Sequence, residues 1–138
     1  MNATLLYRIA AVILIFFALG HTFGFLRFKP PTPAGIEVRD AMERVQFKVS
    51  GQTFSYGGFY RGFGLTITAY LLFLAALAWQ LGTLAAAHTA GIATIAWSLV
   101  VVQVVALVLS FLYFSIEPTI LSALLTVCLA WAAWLIGR

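Results

Sequence analysis

Residues 5–26, 62–81, 90–114 and 118–136 are each apolar over about the 20 residues that an α-helix needs to cross a bilayer. Nothing else in the chain restricts the fold as strongly. Backbone inside hydrocarbon finds no water, so a lone span must satisfy its own N–H and C=O groups, and a helix does so. The expected fold is all-α: a four-helix transmembrane bundle forming a single integral membrane domain over residues 1–138. Composition agrees, with 63% hydrophobic and only 9% charged residues, where soluble domains carry roughly 25% charged. Arg8 ahead of an apolar core, with Ala18-Leu19-Gly20 after it, also fits a signal peptide and its cleavage site; the run is read here as a retained span.

The connections are short except one. Ser115-Ile116-Glu117 separates the third and fourth runs, with Pro118 suited to a first helical turn, so these two helices are antiparallel neighbours. The second and third are joined by "GTLAAAH". Residues 27–61 are the one substantial extramembrane segment, and they hold Arg27, Lys29, Glu37, Arg39, Asp40, Glu43, Arg44, Lys48 and Arg61. Only Arg8, Glu117 and Arg138 lie elsewhere. Six basic residues on the loop side against Arg8 and Arg138 on the other place the loop in the cytoplasm. The reading is a multi-pass protein of a bacterial inner membrane with both termini periplasmic.

Within the loop, "PPTPAGIEVRDAMERVQFKVSG" reads as a short amphipathic helix over about 33–50, lying on the membrane surface. Thr32 suits the cap and Pro33 the first helical position. Val38, Met42, Val45 and Val49 share one face at helical spacing, Asp40 precedes Arg44 by four residues, and Gly51 supplies a stop. A helix folded onto the end of the bundle is the alternative.

"SYGGFYRGFG" at 55–64 looks at first like the start of an RNA-binding strand. Such a strand needs a water-exposed sheet, whereas this stretch runs directly into "LTITAYLLFLAALAW". Nucleic acid is therefore excluded as a partner. The stretch reads instead as an interfacial collar, with Phe54, Tyr56, Phe59, Tyr60 and Phe63 at headgroup depth. Its glycines let the backbone turn, and Gly58 and Gly62 have the small-xxx-small spacing of close helix contacts. With "GHTFGF" at 20–25 and "AMERVQFKVSG" at 41–51, the block resembles a group of small four-helix bacterial membrane proteins. The layout also resembles that of the DoxX class.

Candidate functional side chains cluster near the loop end. His21 is ionisable inside a span, which by itself marks a functional candidate; its plainer reading is a neutral histidine bonding helices together, flanked by Gly20 and Gly24 for close packing. Gln103, Ser110, Tyr113 and Glu117 form a polar stripe on the third helix, and Thr66 and Tyr70 an i, i+4 pair on the second. These serve either interhelical hydrogen bonds or a pocket, and Glu117 is expected to cap the fourth helix. Arg61 starts the second helix, either snorkelling to headgroups or holding an anionic head. His88 belongs to the opposite end and is solvated.

A lone cysteine, Cys128, excludes disulfides and dithiol chemistry. No metal cluster, catalytic motif or mid-membrane acid is present in the sequence, and no cofactor is expected. The leading expectation is a protein that binds a lipid, quinone or other amphiphile at the cytoplasmic end, with His21, Tyr113, Glu117 and Arg61 as anchors. The alternative is a structural or assembly subunit that packs against copies of itself or another membrane protein.

Overall fold

The structure, a computed structural model, describes residues 2–137. In chain order the elements are α1 (Ala3–Arg27), α2 (Pro33–Arg44), β1 (Gln46–Val49), β2 (Gln52–Ser55), α3 (Tyr56–Ala86), α4 (Ala93–Tyr113) and α5 (Ile116–Ile136). The fold is all-α apart from one short hairpin. Helices α1, α3, α4 and α5 have 25, 31, 21 and 21 residues and are apolar enough to span a membrane. At 1.5 Å per residue the shortest reach about 31 Å, the thickness of a hydrocarbon core.

The chain packs as two compact units, Ala18–Tyr70 and the remainder. In the remainder, α4, α5 and the adjoining parts of α1 and α3 enclose one core. Leu6, Tyr7, Ala10, Ala11 and Leu14 meet Ala75, Ala78 and Leu81, together with Ala96, Leu99, Leu125, Leu129, Ala132 and Ala133. Lipid tails are as apolar as leucine, so close approach and dispersion must hold such helices together, and alanine permits that approach. Gly82 makes the same allowance: a Cβ there would lie 3.2 Å from the Tyr7 Cβ and 3.3 Å from the Thr4 carbonyl. Cys128 donates its thiol proton to the Leu6 carbonyl across 3.2 Å, and the Arg8 guanidinium lies 4.5 Å over the Trp79 ring. The exterior is reversed relative to a soluble protein, with Phe16, Phe73, Val101, Phe111 and Val127 all exposed. In water such surface would be an extended apolar patch; in lipid it is solvated.

In Ala18–Tyr70, helix α2 starts as its sequence requires. Thr32 Oγ1 accepts from the Gly35 N–H at 3.1 Å and Pro33 takes the first turn. It stops at Arg44, so the expected extension to residue 50 is corrected. Val45 is extended (φ −77°, ψ 126°), and the chain enters an antiparallel hairpin pairing Gln46 with Ser55 and Val49 with Gln52. Ser50 and Gly51 carry positive φ, 50° and 82°, as a two-residue type I′ turn requires. Gly51 thus turns a hairpin and does not stop a helix, and Val49 lies in a strand. The pattern that decides this is alternation: Val45, Phe47 and Val49, then Phe54 and Tyr56, with polar residues between them.

Three further expectations change here. The "SYGGFYRGFG" glycines do not turn the chain, because α3 already begins at Tyr56. Ser55 Oγ caps it, accepting from the Gly58 N–H at 3.0 Å, and the Val45 carbonyl accepts from the Tyr56 N–H at 3.3 Å to close the hairpin. The helix then continues through most of "GTLAAAH" to Ala86. Asp40 pairs with its neighbour Arg39 at 3.5 Å, not with Arg44.

Candidate functional site

His21 is half-buried on α1, and its Nε2 lies 3.0 Å from the Gly64 carbonyl of α3. A carbonyl oxygen only accepts, so Nε2 carries the proton and donates it. The imidazole stacks on Phe25 (centroids 5.7 Å apart, planes within 5°), and Phe25 meets Tyr60 at 5.3 Å. Phe25 also occupies the place that a Gly64 side chain would need. Beside it, Thr22 Oγ1 donates to the Ala18 carbonyl at 2.7 Å. Its Oγ1 is also 2.8 Å from Thr68 Oγ1, whose own hydroxyl reaches the Gly64 carbonyl at 3.3 Å. His21, Thr22 and Phe25 thus join α1 to α3 through one polar and aromatic contact.

Arg61 is not free. Its guanidinium pairs with the Glu43 carboxylate of α2. That carboxylate lies against Gly57 in the first turn of α3, where a Cβ would come within 2.5 Å of Glu43 Oε1. The first turn of a helix has unpaired N–H groups and a positive dipole end, so a carboxylate is favoured there. Gly57 makes room for it. Both partners are about half exposed, so the pair fixes geometry more than it adds stability.

The collar also has a centre that sequence reasoning missed. Phe47 of β1 is 4.8 Å from Tyr56, 5.7 Å from Phe59 and 5.9 Å from Phe54, while Phe59 and Phe63 meet edge to face at 4.9 Å. Even so, the unit remains both apolar and basic at its surface. Ile36, Val38, Val45, Tyr60 and Phe63 are exposed, and no residue of α2 is buried. Among the described residues, Arg27, Lys29, Arg44 and Lys48 have no acidic partner within 4 Å.

The remaining candidates separate by role. Thr66 donates to the Gly62 carbonyl of its own helix at 2.9 Å and makes no bond to Tyr70, which is 65% exposed. In the other unit, Gln103 and Ser110 are buried on α4. Gln103 Nε2 donates to the Ser122 carbonyl at 3.3 Å and Ser110 Oγ is 3.3 Å from Ser122 Oγ. Ser122, which carries no signal in the sequence beyond its polarity, is the shared partner. Tyr113 is 74% exposed. Glu117 belongs to the first turn of α5 and so lies outside α4, and Ser115 takes the N-cap position in its place. A Cβ at Gly20, Gly24 or Gly62 would meet nothing within 4 Å, and one at Gly58 would meet Ser55 Oγ at 3.1 Å. His88 is exposed in the turn after α3, with φ 50°. Among the described residues no three His, Cys, Asp or Glu side chains converge.

Four long apolar helices with lipid-compatible exteriors define the class: a multi-pass membrane protein. No protein-family model, curated protein or solved structure matches the chain.

Proposed function

We propose that this protein binds an anionic amphiphile, foremost a membrane lipid, through the unit Ala18–Tyr70. One observation carries the reading: a folded unit displays four cations without acidic partners among exposed aromatic and aliphatic side chains. Basic residues attract anionic headgroups by roughly 1 kcal/mol each near the surface, and exposed rings are favoured at headgroup depth. The exposed apolar residues of α2 suit the same boundary. With Arg61 committed to Glu43, headgroup recognition falls to Arg27, Lys29, Arg44 and Lys48. His21 becomes the residue that holds α1 to α3 beside them. Tyr113 and Glu117 are not needed by this reading.

By the excess of basic residues, the unit faces the cytoplasm and both termini face the periplasm of a bacterial inner membrane. Arg138, which enters that count, lies outside the described residues. In architecture alone, the layout resembles that of DoxX-like four-helix membrane proteins. A second reading, an assembly subunit, draws on the open surface at Gly20, Gly24 and Gly62.

Native mass spectrometry from nanodiscs of mixed phosphatidylglycerol and phosphatidylcholine tests both readings. Retention of phosphatidylglycerol above its share of the bilayer is the expected result. A lipid-free oligomer would instead favour the assembly subunit. For orientation, a reporter active only in the cytoplasm should give signal when inserted near Gly35 and none when fused to Arg138.

A further inference from the structure

On α1, Leu19, Gly20, Thr22, Phe23, Leu26 and Arg27 line a shallow, open and almost wholly apolar groove of about 570 Å³. Its floor is open because a side chain at Gly20 would meet nothing within 4 Å. Thr22 adds only its methyl group, since its hydroxyl is taken by Ala18 and Thr68. The one charged group is Arg27, the last residue of α1, with its guanidinium 4.4 Å over the Phe23 ring and no acidic partner among the described residues. Seven residues of helix, about 10 Å, separate Arg27 from Gly20.

We propose that this groove and Arg27 bind one anionic glycerophospholipid, with an acyl chain laid across Gly20 between Leu19 and Phe23 and the phosphate on the Arg27 guanidinium. The site rests on the amphiphile reading above and narrows it to one place and one ligand class. An apolar floor within a span calls for a hydrocarbon tail, which a soluble anion lacks. A guanidinium at the end of that span, already oriented by Phe23, presents paired N–H donors suited to a phosphate. A second copy of the chain is a poorer occupant, because the groove contains no carboxylate for a partner's arginine to meet.

The test compares wild type, Gly20→Leu, Arg27→Gln and the control Gly62→Leu in nanodiscs of mixed phosphatidylglycerol and phosphatidylcholine, counting retained lipids by native mass spectrometry. A Cβ at Gly20 meets nothing within 4 Å, so Gly20→Leu places its bulk in the groove and should remove one retained lipid. Arg27→Gln should keep a lipid but reduce the preference for phosphatidylglycerol about fivefold, the loss of one surface cation. Gly62→Leu should behave as wild type. If wild type favours phosphatidylglycerol and both groove variants match it, the site is overturned while the broader reading stands. No preference in wild type overturns both. A drop in dimer mass for Gly20→Leu with lipid unchanged overturns the site in favour of a second copy. Melting is followed on each sample, and Arg27→Gln decides the matter if Gly20→Leu proves unstable.

Discussion

The two compact units solve the same problem by opposite means. Where α4 and α5 pack with parts of α1 and α3, Ala10, Ala11, Ala78, Ala96, Ala132 and Ala133 bring backbones close around leucines such as Leu14, Leu125 and Leu129, with a few directed bonds at Ser122 and Cys128. In Ala18–Tyr70 the contacts are few and particular: His21 on the Gly64 carbonyl, Phe25 in the space beside Gly64, and Glu43 between Gly57 and Arg61. A seam of small residues spreads its stabilisation over many weak dispersion contacts. The Ala18–Tyr70 unit, in which no residue of α2 is buried, depends on directed contacts. Damage to the first should therefore be graded, and damage to the second abrupt.

The sharpest way to break that comparison is Gly64→Leu. Its side chain would overlap the Phe25 ring, which must swing away from His21, so a loss of about 3 kcal/mol, the upper end for overpacking, is expected. Thermal melting in detergent and protease cleavage within residues 36–50 in liposomes would both report it. Gly82→Leu in the other unit meets Tyr7 and the Thr4 carbonyl at 3.2–3.3 Å and should cost about 1–3 kcal/mol without exposing that loop. Equal loop cleavage in both variants would erase the distinction between the units.

Next in size is His21→Leu, which removes one interhelical hydrogen bond worth about 0.6–2 kcal/mol in membranes. Melting should fall while bound lipid is retained, because His21 serves Gly64. Loss of lipid with unchanged melting would move His21 from packing to binding.

The Glu43–Arg61 pair should show a smaller effect. A double-mutant cycle with Glu43→Gln and Arg61→Gln should give a coupling of about 0.2–1 kcal/mol, as expected of half-exposed ion pairs. Its larger signature is kinetic, as faster proteolysis between Arg44 and Tyr56 in either single variant. A coupling of zero would leave the Glu43 contact with Gly57 and the Val45–Tyr56 hydrogen bond to hold α2 to the start of α3.

The smallest expected change is in the alanine-rich unit. Tyr7 is fully buried and its hydroxyl has no hydrogen-bond partner among the described residues. Tyr7→Phe removes an unpaired polar group at nearly constant volume, so melting should hold or rise slightly. A clear fall would mean that an ordered water satisfies the hydroxyl.

The residues of the site were legible by type more than by partner. His21 stands out as an ionisable group in a span, and Gln103 and Ser110 as polar residues in an apolar helix. Their partners, the Gly64 carbonyl and Ser122, do not stand out, because a carbonyl has no letter and serine is common. Arg61 is visible as a cation at a helix start, yet Glu43, eighteen residues earlier, becomes its partner only after the hairpin reverses the chain.

Sequence alone determined the membrane class, the four spans, the concentration of charge between residues 27 and 61, and the Thr32-Pro33 start of α2. Each follows from side chains read locally: hydropathy sums along the chain, and a cap acts within three residues. Tertiary structure decided where α2 stops, that residues 46–55 pair as strands, and that α3 begins at Tyr56. Val38, Met42, Val45 and Val49 fit a helix, while Val45, Phe47 and Val49 fit a strand. Two periods thus coexist in one short segment, and local propensity does not separate them. What selects the strand is the Ser50-Gly51 turn together with Phe47 packing against Phe54, Tyr56 and Phe59. Those contacts join residues that a helix over 33–50 would hold apart.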